Sequence, residues 1–481
     1  MKLKKLIIVS GILLGFCEML QAQNQLVTYP ASQGVELKKD FTVKVRQPGK
    51  EWQTIATYPV KVDEVRDTKH HVELASMSYF DFEGEVEVSV TSNNGTISTG
   101  RVRPLSYGIA PQINGSTLTF KLDRPRNLSI EVNGDIFHNL HLFANPIDAN
   151  KPKKLKDRNL IYFAPGVHQL PGDTLNISSG KTVYISGGAI VKGCIQVVNA
   201  RDVKVFGRGE VHPEGRGAGI KIINSRDIEV EGLITTQCPT GGSDSVTIRN
   251  VKAISSYGWG DGMNVFASNN VLFDGVFCRN SDDCTTVYAT RMGFNGGCKN
   301  ITMQNSTLWA DVAHPIFIGL HGNPEKNEIM ENLNYINIDI LDHKEKQVDY
   351  QGCLAINVGD NNLVRNVRFE NIRIEDFRQG QLVNLRIFFN KKYCAAPGRG
   401  IENVLFKDIS YNGTNAELSI IAGYNEERKV KDIRFENLRI NGEVIYDDMP
   451  DKPKWYKTGD MARFSIGEHV EGVTFTKTEE L

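Results

Sequence analysis

A short cassette that recurs along the C-terminal two thirds of the chain is the feature that most constrains the fold. Each copy has a polar pair, an apolar residue, one variable residue and a second apolar residue, and a turn with Gly, Asn or Asp follows. The copies are RDVKV at 201–205, RDIEV at 226–230, NNVLF at 269–273, KNITM at 299–303, RNVRF at 365–369, ENVLF at 402–406 and KDIRF at 431–435. With Val246 and Leu333 counted as equivalent positions, the first apolar residue recurs at intervals of 18 to 37 residues.

Self-similarity of this kind predicts a solenoid in which each repeat is one coil. The copies alternate with the period of β-strands, and they lie too close together for helices between them. A leucine-rich repeat is the main rival, but its LxxLxL spacing and its helical segments are absent from the sequence. We therefore predict an all-β chain with a right-handed parallel β-helix over residues 147–481, whose coils stack about 4.8 Å apart.

Residues 23–146 follow a different pattern. Segments such as FTVKV at 41–45 and VEVSV at 86–90 alternate with the period of two that half-buried strands show. Turn signals such as NNG at 93–95 and NG at 114–115 separate these segments. The sequence therefore predicts a small antiparallel β-sandwich before the β-helix.

The N-terminus has the pattern of an export signal. Three lysines within the first five residues precede an apolar stretch of 11 residues at 6–16, and Ala22 offers a small residue before cleavage. Cys17 is a poor lipidation site because the bulky Phe16 precedes it. We expect residues 1–22 to be a signal peptide and the protein to reach the periplasm, the cell surface or the medium. No later segment has about 18 consecutive apolar residues, so we expect no membrane insertion.

Composition excludes several other classes of protein. The net charge is −1 with 23% charged residues, which argues against a nucleic-acid partner, and 40% hydrophobic residues argue against disorder. Seven cysteines remain after position 22, and neither a CxxC nor a Cys/His zinc spacing occurs among them. We expect buried thiols, with a bridge possible among Cys278, Cys284 and Cys298, and we expect no cofactor or metal. The sequence sets no oligomeric state.

A β-helix has no intrinsic pocket, so a site must lie in a groove along the outside of its coils. Asp261 follows the first apolar residue of its coil by 15 residues, and Asp282 and Asp283 follow theirs by 11 and 12. His314 follows the corresponding residue of the next coil by 13. These offsets agree within one turn insertion, so three neighbouring coils are predicted to bring the four side chains together.

The adjacent pair constrains the local structure further. Neighbouring residues of a regular strand point to opposite faces, so Asp282 and Asp283 can both face solvent only where the strand bends. Clustered carboxylates raise at least one pKa among them. A protonated carboxyl beside ionised ones is what glycosidic cleavage requires, since it needs an acid for the leaving oxygen and a base for water. Taken alone, an Asp-Asp pair in a turn is more often a solvated corner.

Three short motifs make the pattern more specific. NSDDC at 280–284 resembles the N-x-D-D-C element of the polygalacturonases, glycoside hydrolase family 28. GDG at 260–262 and AHPIFIG at 313–319 resemble that family's N-T-D-G and G-H-G-x-x-I-G elements. The sandwich, which ends in LFANP at 142–146, is more similar to family 49, the dextranases and isopullulanases. The architecture covers about 460 residues and the motifs only about 60.

The resemblance implies an inverting glycoside hydrolase that cleaves α-glycosidic bonds of a polysaccharide or oligosaccharide. Asp282 would be the general acid, and Asp261 and Asp283 would together activate the attacking water. His314 would tune the acid or contact the sugar at the cleavage subsite.

Departures from the family pattern bear on the substrate. Trp259 stands where polygalacturonases have Asn, and Pro315 replaces the second glycine of G-H-G. The family's R-I-K element, which holds a uronate carboxylate, is matched best by VNLRIF at 383–388, with Phe388 in the lysine position. Without that point charge a neutral or differently charged α-glycan is at least as consistent as pectin. Arg386 is a candidate substrate-binding residue, although a solvated strand residue is an equal alternative.

Aromatic residues flank the groove in this interpretation. Trp259 and Trp309 are candidate substrate-binding residues, because aromatic faces stack on sugar rings, although either could instead pack under a loop. Tyr288 and His321 are weaker candidates, for which a structural role is the simpler reading.

Two other functions remain open from the sequence. A Ca²⁺-dependent polysaccharide lyase could use the three aspartates as ligands, but no basic residue is placed beside them to act as the base. A noncatalytic glycan-binding or adhesive solenoid would share the fold without the chemistry.

Overall fold

The computed structural model describes residues 24–66 and 69–478, so the signal segment predicted at 1–22 lies outside the described residues. The strands of the N-terminal region are β1 (Gln25–Thr28), β2 (Phe41–Arg46), β3 (Gln53–Ile55), β4 (Tyr58–Arg66), β5 (Lys69–Glu83), β6 (Val86–Ser92), β7 (Gly100–Arg103), β8 (Gln112–Asn114), β9 (Thr117–Leu122), β10 (Arg126–Val132) and β11 (Asp135–Asn145). A 3₁₀ turn spans Leu105–Tyr107.

These strands form two sheets that face each other. One sheet has the order β1-β5-β11-β10-β7, with β4 also paired to β5, and the other has the order β3-β2-β6-β9-β8. Alternate residues such as Val43, Val45, Val88 and Val90 are fully buried between the sheets, as the period of two predicted. One detail of the prediction was wrong, because β5 and β11 pair in parallel. Five strands, β6 to β10, lie between them in the chain, and a connection of that length allows parallel pairing.

The C-terminal region forms one continuous parallel sheet that winds into coils. Its first strands are β12 (Leu160–Phe163), β13 (Gly166–Ile177), β14 (Thr182–Ile185), β15 (Ala189–Val198), β16 (Arg201–Gly207), β17 (Glu210–His212), β18 (Ile220–Ile223), β19 (Arg226–Glu231), β20 (Ile234–Thr235), β21 (Thr240–Gly241), β22 (Asp244–Arg249), β23 (Lys252–Ile254), β24 (Met263–Phe266), β25 (Asn269–Asp274), β26 (Phe277–Asn280) and β27 (Thr285–Tyr288).

The remaining coils continue the same winding. Their strands are β28 (Cys298–Ala310), β29 (Ile316–Gly319), β30 (Ile329–Asp342), β31 (Leu354–Val358), β32 (Leu363–Glu375), β33 (Gly380–Gln381), β34 (Val383–Ile387), β35 (Gly400–Asn412), β36 (Ala416–Glu417), β37 (Ser419–Ala422), β38 (Val430–Glu436), β39 (Leu438–Ile440), β40 (Glu443–Ile445), β41 (Phe464–Ile466) and β42 (Val470–Thr476). A 3₁₀ turn spans Val348–Tyr350, and a short helix, α1, spans Thr458–Met461.

The cassette positions form one vertical column through the coils. The first apolar residues pair in register in the order Val203, Ile228, Val246, Val271, Ile301, Leu333, Val367, Val404, Ile433 and Val473. Each of these side chains is buried in the interior except Val473, which packs against it. From Tyr335 onward the second apolar positions are aromatic and their rings stack, with centroids 4.8 Å apart for Phe369 and Phe406. The predicted right-handed parallel β-helix is therefore confirmed.

The backbone conformation explains why a polar residue precedes each buried position. These residues adopt a positive φ of 53° to 58°, namely Asp202, Asp227, Ser245, Asn270, Asn300, Asn332, Asn366, Asn403 and Asp432. Asn and Asp tolerate this left-handed conformation better than other non-glycine residues. The Asn side chains also bond from coil to coil, as Asn300 does when its Nδ2 donates to Asn270 Oδ1 at 2.8 Å.

The cysteines fill the interior as small apolar side chains. All seven that the structure describes are buried and unpaired, so no bridge forms among Cys278, Cys284 and Cys298. Cys278, Cys284 and Cys298 all lie in the main hydrophobic core. Among residues 24–66 and 69–478, no helix is both long and apolar enough to cross a membrane.

The sandwich lies along one side of the coils. Its β4–β5 hairpin packs through Tyr58, Val62 and Met77 against Ile254 and Phe277 of the β-helix. The last sandwich strand ends at Asn145 and β12 begins at Leu160, so the boundary predicted after residue 146 falls in the connecting segment. This packing places the hairpin beside the bends that carry the candidate site.

Candidate active site

Three bends on neighbouring coils carry the predicted site residues. Asp282 and Asp283 lie in a bend between β26 and β27, as the sequence predicted, but only Asp282 is partly exposed, whereas Asp283 is buried. Asp261 precedes β24, and His314 precedes β29. The amide of Gly262 donates to Asp283 O at 3.0 Å, so consecutive bends lie directly against each other.

Strand register aligns these bends from coil to coil. Asn264 of β24 pairs with Thr286 of β27, and Thr286 pairs with Phe317 of β29. Three residues earlier, the same register sets Asp261 beside Asp283 and Asp283 beside His314. The structure therefore brings together the four residues that the sequence predicted, and we call Asp261, Asp282, Asp283 and His314 the acidic cluster.

A buried ion pair lies at the base of the acidic cluster. Asp283 is 5% exposed and His314 is fully buried. Both the amide and Nδ1 of His314 donate to Asp283 Oδ1, at 3.1 and 2.7 Å. The other ring nitrogen, Nε2, lies 2.6 Å from Tyr350 O. Since both ring nitrogens face acceptors, the imidazole is held in its protonated form.

Electrostatics agree with this protonation state. Burial alone would lower the pKa of His314, but the charge of Asp283 and the hydrogen bond to it raise the pKa above its usual value. The Tyr288 hydroxyl donates to Asp283 Oδ2 at 3.4 Å. Asp283 thus carries a compensated negative charge, and His314 has no ring nitrogen free for a sugar hydroxyl.

The other two carboxylates lack any such cation. Asp261 and Asp282 are partly exposed. Burial raises the pKa of Asp261 to about 7, and the charge of Asp283 adds to this effect. Burial, followed by the charges of Asp261 and Asp283, raises the pKa of Asp282 well above its usual value. Interacting acids of this kind titrate as a group, with one member protonated while another is ionised.

Hydrogen bonds fix the orientation of both exposed carboxylates. Asn264 Nδ2 donates to Asp261 Oδ2 at 2.5 Å, and the amide of Asp283 donates to Asp282 Oδ1 at 3.1 Å. Gly262 allows the close approach of the coils, because a Cβ at this position would lie 2.4 Å from Cys284 O. The Gly after Asp261 is therefore required by packing and not only by turn formation.

The segment 343–351 contributes residues that the sequence did not reveal. It carries Tyr350, whose carbonyl accepts the bond from His314 and whose ring stacks on Tyr393 with centroids 4.9 Å apart. It also carries Glu345, a buried carboxylate whose charge helps to raise the pKa of Asp282. The sequence analysis did not single out these residues, although Glu345 follows the cassette position Leu333 by 12 residues, an offset like those of the acidic cluster.

The prediction that Trp309 flanks the groove was wrong. Trp309 is fully buried and lies under the sandwich, with the guanidinium carbon of Arg279 4.1 Å from its ring centroid. Arg279 and Trp309 are register partners on β26 and β28. This column of the coil faces the sandwich, whereas the bend that follows it faces the groove, so no sugar can reach the indole.

The other two predicted binding residues are accessible. Trp259 is 81% exposed in the loop that leads to Asp261. Arg386 lies on β34 and donates to the carbonyl and to Oδ1 of Asp349, at 3.1 and 3.0 Å. Phe388, in the position of the family's lysine, is buried in an aromatic cluster. Their contact with substrate stays a prediction.

The two weaker candidates lie on the far side of the ion pair. The Tyr288 and His321 rings are in edge contact, with centroids 4.9 Å apart. Burial and then the charge of Arg291 lower the pKa of His321 to about 4, so this imidazole is neutral near pH 7. Within the described ranges, no group of His, Cys, Asp and Glu side chains is arranged to hold a metal ion.

Comparison with known proteins adds a family match. The model of "Glycosyl hydrolases family 28" matches residues 214–452, which contain the whole acidic cluster. No curated protein matches the chain significantly.

Two solved structures share the architecture. Dex49A from Penicillium minioluteum superposes with a TM-score of 0.62 at 13% identity, over 93% of this chain and 96% of that one. A family 28 exopolygalacturonase from Yersinia enterocolitica superposes with a TM-score of 0.50 at 11% identity, over 81% of this chain and 96% of that one. At these identities the likeness establishes the fold alone.

Proposed function

The chain is a glycoside hydrolase with a β-helix of the family 28 type, and from this premise we propose that it cleaves α-glycosidic bonds of a glycan with inversion. The observation that carries the proposal is the acidic cluster. Two carboxyls with raised pKa lie beside a third that is paired with His314. This combination supplies a proton donor and a proton acceptor within one groove.

Asp282 is the general acid in this mechanism. Its pKa is raised well above the usual value, because burial and then the charges of both neighbouring acids oppose its ionisation. It donates its proton to the glycosidic oxygen as the bond to the anomeric carbon breaks. The leaving sugar departs with a free hydroxyl, and Asp282 becomes a carboxylate.

Asp261 and Asp283 activate the attacking water. Asp261 accepts the proton as the water oxygen bonds to the anomeric carbon from the opposite face, so the product has inverted configuration. Asp283 holds and polarises this water while its own charge is balanced by His314. His314 is a positioning residue, because both ring nitrogens are already bonded within the protein. Proton exchange with solvent then restores Asp282 and Asp261.

The first test is a screen of purified protein against dextran, pullulan, polygalacturonate and galactans, with the released reducing ends quantified. We expect hydrolysis of at least one neutral α-glycan, since Phe388 leaves no cation in the family's lysine position. NMR of the first anomer released should show β-configuration. A product that absorbs in the ultraviolet, or activity lost with a chelator, would identify a lyase instead. Binding without turnover would identify an adhesive solenoid.

We also propose that the protein is exported, from the pattern of residues 1–22. Fractionation of producing cells should recover a mature chain that begins at Gln23. A full-length chain in the cytosolic fraction would contradict this.

A further inference from the structure

A second feature lies next to the acidic cluster, where the sandwich meets the coils. A cavity of about 1090 Å³ opens between the β4–β5 hairpin and the bends of the coils upstream of Asp261. Its wall reaches Gly260, the residue directly before Asp261. We call this cavity the distal cleft. It borders the acidic cluster at Gly260 and has walls from both domains.

The floor of the distal cleft contains a carboxyl group that the fold alone does not explain. Glu210 of β17 is 8% exposed and pairs in the sheet with Ile190 and Ile234. Its Oε1 has no hydrogen-bond partner within the described residues. His212 Nε2 lies 3.9 Å from Oε2, but burial lowers the pKa of His212, so this ring does not supply a compensating positive charge. A glutamate in a column of isoleucines costs desolvation energy, which a bound polar ligand would offset.

A buried hydroxyl lies in the same cleft. Tyr58 of β4 is 3% exposed, lines the cavity and makes no hydrogen bond of normal geometry through its OH. Burial raises the pKa of Glu210 to about 7, so near neutral pH its carboxyl can donate as well as accept a hydrogen bond. Together the two groups offer donors and acceptors of the kind that pair with sugar hydroxyls.

The rim of the distal cleft is aromatic. Trp259 and Tyr257 are 81% and 45% exposed, and both have a positive φ, which turns the loop outward. The sandwich holds this loop, because Asp63 Oδ2 accepts bonds from the amide of Gly258 at 3.4 Å and from His70 Nδ1 at 2.5 Å. The Arg216 guanidinium lies 4.0 Å from the Tyr257 centroid, so one face of that ring is covered. The exposed Trp259 ring and the other face of Tyr257 can bury the apolar faces of sugar rings.

Charge on the walls of the distal cleft is balanced. Its lining contains three basic residues and three acidic ones, Lys61, Lys192, Arg216, Glu36, Glu210 and Glu214. A subsite for a polyanion would have an excess of positive charge. The balance favours uncharged sugar units.

We propose that the distal cleft binds neutral sugar units of the glycan chain, beyond the unit whose bond is cleaved. Trp259 and Tyr257 stack on the rings, and Glu210 and Tyr58 bond to the hydroxyls on the floor. This inference rests on the proposed glycoside hydrolysis and adds that the substrate is a neutral chain long enough to reach from Asp261 into the cleft. The sandwich is therefore part of the binding site.

The test uses the full chain and size-fractionated oligosaccharides of two to ten units from dextran and pullulan, with polygalacturonate oligosaccharides as charged probes. We expect wild-type kcat/KM to rise with the length of the neutral chains. For the Trp259→Ala and Glu210→Gln variants, the ratio of kcat/KM for long chains to kcat/KM for short chains should be about tenfold smaller than for wild type. Trp455→Ala is the matched control, because Trp455 is also a highly exposed tryptophan, at 82%, in the C-terminal segment. Melting temperatures would verify that each variant is folded.

The outcomes separate this inference from the proposed function. If wild-type protein hydrolyses none of the glycans, the proposed function fails and the inference fails with it. If wild-type protein is active but both variants keep its long-to-short ratio, only the inference is overturned. Preference for the charged oligosaccharides would also overturn it. Calorimetry of chain binding to Asp282→Asn should show the same loss of affinity in the Trp259→Ala background.

Discussion

The same two coils build two buried charged clusters with opposite properties. Arg279 precedes Asp282 by three residues, and Asp311 precedes His314 by three. Arg279 and Asp311 are fully buried under the sandwich. We call this pair the interface pair and compare it with the acidic cluster, which faces the groove a few residues later.

The difference lies in how each carboxylate is compensated. Arg279 Nε and Nη2 donate to both oxygens of Asp311, at 2.9 and 3.1 Å. Arg279 also donates to Asn139 Oδ1 at 2.9 Å, so one guanidinium joins two coils to the sandwich. Asp282, in contrast, has acids as its nearest charges. A buried charge that is paired links the two domains. A carboxyl without a cationic partner instead stays protonated and can donate that proton in a reaction.

The largest expected effect comes from removing the proton that the Asp282 carboxyl donates. Asp282→Asn should lower kcat about 10²–10⁴-fold, because the amide cannot protonate the leaving oxygen. Stability and substrate affinity should be retained, since the amide is isosteric and the acid is neutral in the folded state. The measurement is reducing-end release together with calorimetry, and Asp123→Asn on the sandwich surface is the control. Retained activity would remove Asp282 from the mechanism.

The interface pair should show the reverse pattern, with stability lost and chemistry spared. The Arg279→Met variant removes the close cationic partner of the buried Asp311. The remaining cation, Arg378, lies 3.6 Å from the Asp311 carboxylate. We expect the free energy of unfolding to fall by about 3–5 kcal/mol, measured by urea denaturation. Adding Asp311→Asn to this variant should restore part of the loss, because the uncompensated charge is gone. A drop in kcat without a drop in stability would contradict the comparison.

Stability should also depend on pH through the acidic cluster. The pKa of Asp261 is raised from 3.8 to about 7, so the native state holds a proton that the unfolded chain has released. Its contribution to stability is therefore present below about pH 4 and is lost as the pH rises to about 7. Asp261→Asn has no such proton to lose. We expect this variant to be about 1–2 kcal/mol more stable than wild type at pH 8 and no more stable at pH 4, by denaturant titration at both pH values.

The pH dependence of kcat/KM tests the same two carboxyls. Because Asp261 must be ionised, kcat/KM should fall below about pH 7. Because Asp282 must be protonated, kcat/KM should fall again above its raised pKa. A profile that stays flat down to pH 4.5 would contradict Asp261 as the base.

The repeated part of the fold could be read from the sequence because its determinants are local. Each coil carries its own buried position and its own Asn or Asp with positive φ, as at Val271 and Asn270. Because the coils stack in register, residues at similar offsets from the buried position lie on the same side of neighbouring coils. The offsets of Asp261 and Asp283 were therefore sufficient to place them together. No such rule covers the sandwich, whose contacts with the coils join residues more than 100 positions apart, such as Arg279 and Asn139.

That non-local docking explains what the sequence could not predict. Trp309 is of the residue type that often stacks on sugars, and only the position of the sandwich shows that it is buried. Glu210 and Tyr58 have no motif, because they meet only when β4 packs on the coils. Tyr350, whose carbonyl meets His314, was missed for another reason, because it follows the cassette position Leu333 by 17 residues, a longer offset than those of the acidic cluster.

The smallest expected effect concerns Arg386, which touches the acidic cluster only through the 3₁₀ turn Val348–Tyr350. Its ion pair with Asp349 is weak, because the Asp349 side chain is 75% exposed. Arg386→Ala should therefore lower kcat/KM about twofold to fivefold, by loosening the turn whose Tyr350 carbonyl holds His314. Asp349→Asn breaks the same contact without touching Arg386 and should give the same change. If Arg386→Ala raises KM far more than Asp349→Asn does, Arg386 binds the glycan directly, and the groove extends two coils beyond His314.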